Sequence, residues 1–154
     1  MIGNQQIIDL LNQRLIEERT AVFQYENNRS CFRLWGYKSL VKHTDERIDD
    51  EKGHAKKILN RIRVLNGIPV TDKLNAVATA GDVAGMMKID LASENSAILK
   101  YNESIRLCTS LGDNGTRIIL ENILADEEDH AKYLERQLIQ IAQIGIQGYL
   151  AVKV

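Results

Sequence analysis

A chain of 154 residues is long enough for one domain with a proper core and too short to expect two, so 1–154 reads as a single unit. Hydrophobic residues at 44% and charged residues at 27% exclude disorder and a membrane class, and a formal charge of −1 gives no electrostatic case for nucleic acid or anionic lipid. A single proline, Pro69, favours long uninterrupted helices over a turn-rich β architecture.

The start, Met1-Ile2-Gly3-Asn4-Gln5-Gln6, lacks the basic and apolar regions of a secretory signal, and no apolar run approaches the ~18 residues of a membrane span. The cytoplasm is the expected compartment. From Asn4 to about Leu34 one helix is predicted, with Leu11, Leu15, Val22 and Tyr25 as its core stripe and Glu18 embedded in it. Trp35-Gly36 marks a turn, Gly36 being suited to positive φ. A second helix, from about Lys38 to Asn66, gathers Ile48, Glu51, Ala55, Ile58, Ile62 and Leu65 on one face with His54 beside them.

The stretch from Gly67 to Gly81 contains Pro69, Thr71, Asp72 and Asn75 and has no helical periodicity. It is unusually long for a connection in a compact domain. Fully extended it reaches roughly 50 Å, against roughly 42 Å for a helix of this size, so it can run the length of a bundle and start a third helix beside the second. Asp82 is a suitable N-cap for that helix, predicted to about Ser110 with Met87, Leu91, Ile98, Tyr101 and Ile105 as its stripe and Glu94 inside it. Leu111 to Gly115 makes a second turn. A fourth helix follows to about Gln143, with Leu120, Leu124, Glu127, Ala131, Leu134, Leu138 and Ile141 inward. Gly145 ends it, and Ile146 to Val154 suits a short fifth helix against the bundle end or a neighbouring subunit. The fold class is therefore all-α, a four-helix bundle with one long crossover.

The pattern Asp50-Glu51-Lys52-Gly53-His54-Ala55-Lys56 returns as Asp126-Glu127-Glu128-Asp129-His130-Ala131-Lys132, and the same displacement carries Glu18 to Glu94 and Tyr25 to Tyr101. Glu-x-x-His places both side chains on one helix face, a turn apart, within reach of one metal ion. Counted from Gly36, Glu18 lies as far before the turn as His54 lies after it, and Glu94 and His130 are placed alike about Gly112. Glu18, Glu51, His54, Glu94, Glu127 and His130 are thus expected to meet in one layer, as in di-iron carboxylate bundles. Four ionised Glu in a dry core repel one another, and two divalent cations would balance them. Oxygen and imidazole donors suit Fe, Mn or Zn. Any one of these residues alone would pass for a solvated helix face or a satisfied core residue; it is the duplication and matched height that point to metal. Tyr25 and Tyr101 either cap the apolar layer or bond a ligand carboxylate. His43, whose repeat position is Ile119, reads as an ordinary polar residue, and Cys31 and Cys108 as separate thiols without a metal spacing.

These residues resemble the bacterioferritins and closely related bacterial ferritins over nearly the whole chain. The marks are Glu18, Gln24-Tyr25, Trp35-Gly36, Ile48 to His54, Gly67-Ile68-Pro69, Asp90, Glu94, Asp126 to His130 and the ending Gln143 to Leu150. The resemblance implies a ferritin-like fold, a shell of twenty-four subunits, a di-iron (Fe) ferroxidase centre in each and a ferric mineral within. It implies that Glu51 and Glu127 bridge the irons, with Glu18 and His54 on one and Glu94 and His130 on the other. O₂ or peroxide would take the electrons, Fe³⁺ would migrate inward or stay as a cofactor, and Tyr25 would supply an electron when iron runs short. A ferredoxin is the implied partner for iron release.

Two departures from the family pattern stand out. Where bacterioferritins place the Met that ligates haem b, this chain has Lys52, which is turned outward from Glu51 on its helix. A homomer is therefore expected to take up little haem, and the chain also suits a mixed shell with a haem-binding bacterioferritin subunit. Where many members carry a His on the inner surface, this chain has Glu46, which with Asp50 would form an acidic inner iron site. Trp35, Tyr149 and Leu150 are expected on outer faces that neighbours must cover. The competing readings are a rubrerythrin-like peroxidase or small di-iron oxygenase, disfavoured by the absence of a four-Cys rubredoxin-type segment, and a non-catalytic metal-buffer subunit, disfavoured by the retained ligands.

Overall fold

The computed structural model describes residues 3–154, so Met1 and Ile2 of the start lie outside the described residues. Four helices account for the regular structure: α1 (Gln5–Leu34), α2 (Lys38–Val64), α3 (Val83–Ser110) and α4 (Asn114–Ala151). Their starts are chemically marked. Asn4 accepts from the Gln6 amide, Asp82 from Gly85 and Asp113 from Thr116, each satisfying one of the free N–H groups that a helix start leaves. Such a cap is worth ~1 kcal/mol.

The two tight turns repeat each other. Gly36 and Gly112 both take positive φ, 81° and 72°, and the next amide in each turn bonds back to a carbonyl of the preceding helix, Tyr37 to Phe32 and Asp113 to Cys108. Helix α2 ends two residues earlier than its periodicity predicts. Asn66 adopts the left-handed conformation at φ 57°, and Gly67 donates to the Ile62 carbonyl. A Cβ on Gly67 would lie 2.8 Å from Ile8 and 2.9 Å from Ile62, so this position admits no side chain without a shift.

The crossover, 65–82, is strapped along α1. Asn12 bonds both Ile68 and Val70, Arg19 bonds the Val70 carbonyl, and the Asn75 amide bonds Thr20. It leaves the end where Gly3 pairs with Leu65 and delivers Val83 to the end where Phe32 and Leu40 lie. Helix α3 therefore starts beside α2 and runs against α1. Two apolar clusters result: one of Ile7, Leu11, Leu15, Ile58, Ile62, Leu120 and Ile123, the other of Phe32, Leu40, Val83, Met86, Met87, Leu134 and Tyr149.

Three expectations are corrected by this packing. Val22 is half-buried on an outer groove with Lys52, Ala55 and Leu59 rather than in the core stripe of α1. Gly145 breaks α4 as predicted, at φ 74° and ψ 157°, and the segment beyond it packs on the end of its own bundle, one of the two places expected for it; there Tyr149 is 0% exposed and donates to Gln137. Ser39 in turn bonds the Lys153 carbonyl. Tyr149 is therefore not an outer-face residue and Leu150 is half-buried, while Trp35 does remain exposed. Cys31 and Cys108 are free thiols, as expected.

Candidate metal centre

Between the two apolar clusters lies a polar layer, and the six residues expected in it are all there and all buried: Glu18, Glu51, His54, Glu94, Glu127 and His130. Their donor atoms form two overlapping sets. Glu18, Glu51, His54 and Glu127 bring ligand atoms within 4.8 Å of one another, and so do Glu51, Glu94, Glu127 and His130. Glu51 and Glu127 belong to both. Each set is assembled from three helices, which is why no local stretch of the chain contains it.

The hydrogen bonding of the layer is that of a cation site. His54 Nδ1 lies 3.3 Å from Glu18, 3.1 Å from Glu51 and 2.9 Å from Glu127, and its single hydrogen serves only one of the three. Glu51 Oε1, Glu127 Oε1 and His130 Nδ1 are buried with no hydrogen-bond partner. Buried polar atoms left unpaired are costly, and a pair of divalent cations would satisfy all of them at once. The donor set fits such ions by type as well as by place, with carboxylate and imidazole and no thiolate.

Protons do this work in the metal-free protein. Burial raises the pKa of Glu51, with the charges of Glu18 and Glu94 adding to it against the opposing bond from His54. Glu94 is raised by burial and by Glu127, and Glu127 by burial and the charge of Glu51, to about 7. Burial works against charge on His54, but the carboxylates of Glu127, Glu18 and Glu51 gathered about its Nδ1 outweigh this and hold the imidazolium well above its usual range.

The tyrosines take the second of their two expected roles, and they do so crosswise. Tyr25 of α1 donates to Glu94 of α3, and Tyr101 of α3 donates to Glu18 of α1. Burial and the adjacent carboxylates raise both phenols, so they remain donors. Beside them Asn28, fully buried, donates to both oxygens of Asp90 at 3.0 and 2.9 Å.

Two residues of the layer's support escaped the sequence reading. His54 Nε2 lies 3.0 Å from Asp126, at hydrogen-bond distance, and His130 Nε2 lies 3.5 Å from Asp50, so the Asp of each Asp-Glu-x-x-His motif stands behind the other motif's imidazole. The repeated Asp was visible in both copies; its target, on another helix, was not. Glu46 and Asp50, expected as an inner iron site, have other neighbours: Glu46 lies 3.7 Å from His43, and Asp50 lies 3.3 Å from Arg47. His43 stacks on Tyr133 with ring centroids 3.5 Å apart, and burial, then Arg47 and Lys153, lower its pKa to about 4.

The layer is reached through a cavity of about 490 Å³ beneath the crossover, bordered by Asn75 to Ala78, Glu17, Lys100, Tyr25 and four ligand carboxylates. On the outer side of α2, Lys52 Nζ is 3.8 Å from Glu26, in a groove with Arg19, Val22, Ala55, Lys56 and Leu59. Met86 and Met87, the methionines among the described residues, are core residues at 1% and 4% exposure. No thioether reaches that groove, so its residues do not fit a haem held between two methionines.

Comparison with known proteins agrees with this architecture. A family model described as a ferritin-like domain matches residues 8–144. The chain is 32% identical to the bacterioferritin of Mycobacterium leprae, over 98% of this chain and 95% of that protein. It is 35% identical to the bacterioferritin of Brucella melitensis, over 97% and 92%. The solved structure of Mycobacterium tuberculosis bacterioferritin, BfrA, superposes with a TM-score of 0.97 at 32% identity, covering 100% of this chain and 97% of that one. With the fold, the crossover and near-complete coverage in agreement, the chain belongs to the ferritin-like family, among its bacterioferritins.

Proposed function

We propose that this chain is an iron-storage subunit of a self-assembling shell and that it oxidises Fe²⁺, its substrate, in the buried layer before storage as ferric mineral. The supporting observation is the pair of overlapping donor sets that share Glu51 and Glu127. In this reading Glu18 and His54 complete one ion position, Glu94 and His130 the other, and the two shared carboxylates hold the ions side by side. Two Fe²⁺ give up one electron each; O₂ accepts the pair with two protons to give H₂O₂, or peroxide accepts it with two protons to give water. Iron binding deprotonates the layer, so the protons that Glu51, Glu94, Glu127 and His54 hold in the metal-free state are displaced as substrate arrives.

When only one Fe²⁺ is at hand, O₂ takes one electron from it and the second from Tyr25, which becomes a tyrosyl radical as its proton passes to Glu94; with one more proton from the layer the product is again H₂O₂. Glu46 and Asp50, whose side chains are both at least half exposed, form an inner-surface iron site on the same reading. The proposed shell is placed in the cytoplasm; separately, among the described residues no helix is long and apolar enough to cross a membrane. A ferredoxin for iron release and a mixed shell with a haem-binding subunit complete the proposed partners.

Stopped-flow Fe²⁺ oxidation by the metal-free protein tests the assignment. Two Fe²⁺ per chain should be oxidised rapidly, and Glu51→Ala, which removes a shared ligand, should abolish that phase. A rate within twofold of wild type for Glu51→Ala would reject the site.

A further inference from the structure

The two halves of the layer repeat each other in every ligand, yet their supports differ. Asp126 lies 3.0 Å from His54 Nε2, and no lysine or arginine pairs with it among the described residues. Asp50 lies 3.5 Å from His130 Nε2 and is shared with Arg47, whose Nη1 is 3.3 Å away and whose side chain is only 12% exposed. On the inner side of the rings the same inequality appears. His54 Nδ1 bonds Glu51, whereas His130 Nδ1, 3% exposed, has no hydrogen-bond partner, its nearest carboxylates being at 3.2, 3.5 and 3.6 Å. A ligand imidazole held from behind by a carboxylate keeps its orientation and gains basicity, and loss of that carboxylate typically weakens metal binding 10- to 100-fold.

We propose that the two ion positions are inequivalent: Asp126 fixes His54 as the firmer ligand, and Arg47, by competing for Asp50, leaves His130 the looser one and sets the affinity of the second position. This rests on the metal-centre reading above. Asp50, Asp126 and Arg47 are positioning residues here, since they act through the imidazoles. The dependence is crosswise: the Asp beside Glu127 governs the position that contains His54, and the Asp beside Glu51 governs the one that contains His130.

Anaerobic titration of the metal-free assembly with Co²⁺, followed by its visible absorbance, reads both positions without turnover. Two steps are expected, assigned by which one disappears in His54→Ala and which in His130→Ala. Asp126→Ala should weaken the His54 step about tenfold or more, with Asp126→Asn, which keeps an acceptor, falling between. Arg47→Gln should tighten the His130 step severalfold and leave the first unchanged. Both side chains of the Asp pair are about half exposed, 50% for Asp126 and 52% for Asp50, so their replacement does not threaten the core. A single step of equal affinity, an effect of Asp126→Ala on the His130 step, or an unchanged second step in Arg47→Gln would each overturn the proposal. Glu51→Ala separates the two levels: undiminished binding of two Co²⁺ there would reject the metal centre itself.

Discussion

The hydroxyl of Tyr25 on α1 donates to Glu94 on α3, and its repeat mate Tyr101 returns the bond to Glu18. Both bonds form together only if α1 and α3 run in opposite directions. In each helix the Tyr follows the Glu by seven positions, ~10 Å of axial rise, and parallel helices would separate one pair as they joined the other. The exchange between Asp126 and His54, and between Asp50 and His130, obeys the same pseudo-two-fold relation.

This relation gives the tyrosines distinguishable fates. Tyr25 borders the cavity beneath the crossover, whereas Tyr101 is embedded in the first apolar cluster. With one Fe²⁺ per chain and excess O₂, a tyrosyl radical signal in electron paramagnetic resonance is expected in wild type and Tyr101→Phe and not in Tyr25→Phe. Survival of the signal in Tyr25→Phe would remove this residue from the mechanism.

Stability of the metal-free protein should fall as pH rises through neutrality. Glu127 has its pKa raised from the usual carboxylate range to about 7, and Glu51 and Glu94 move the same way, so the folded state binds more protons than the unfolded state above the ordinary Glu pKa of ~4.5. This stabilisation is complete below ~4.5 and is lost as pH climbs through the folded values. The raised imidazolium of His54 adds a loss of the same sign above its ordinary pKa of ~6.5. Scanning calorimetry from pH 5.5 to 8 with a chelator should show a falling Tm. Co²⁺ should flatten or reverse that slope, because metal binds the deprotonated layer.

Removing one acid from the layer should not destabilise the metal-free bundle. Glu51→Ala removes a buried carboxyl group with an oxygen that has no hydrogen-bond partner, offsetting the packing lost with the side chain. Its unfolding free energy should lie within about 1 kcal/mol of wild type, or above it. A loss of several kcal/mol in chemical denaturation would show that the carboxylate is a structural tie.

Haem uptake by the homomer should be slight. Lys52 presents a hydrated ammonium, 3.8 Å from the Glu26 carboxylate, in place of the soft neutral donor that a haem iron takes from a methionine. Lys52→Met should introduce a bis-thioether haem spectrum, measured after gel filtration. A strong Soret band that survives filtration of the unaltered protein would contradict the groove's chemistry.

Assembly should be obligatory at ordinary concentrations. Leu34, Ile68 and Leu99 are 83%, 80% and 67% exposed, and Trp35 is exposed beside Leu34, a display that one bundle has no means to cover. Light scattering coupled to size exclusion should give a large particle. A monodisperse monomer or dimer would count against the storage reading.

Repetition in the sequence determined most of what is local or symmetric here. Duplicated Glu, Glu-x-x-His and Gly positions fix helix faces, turn positions and the common height of the six ligand-type residues, because a helix converts spacing directly into direction and rise. The lone proline and the long aperiodic stretch before Asp82 likewise indicated helices and a crossover. Only the tertiary structure decided what depends on which helix lies opposite. Asp50 and Asp126 reach the other motif's histidine, Tyr25 and Tyr101 exchange carboxylates, Val22 turns to the outer groove, and Tyr149 folds inward after Gly145. Each of these rests on a distance across the bundle, and one chain's periodicity contains no term for such a distance.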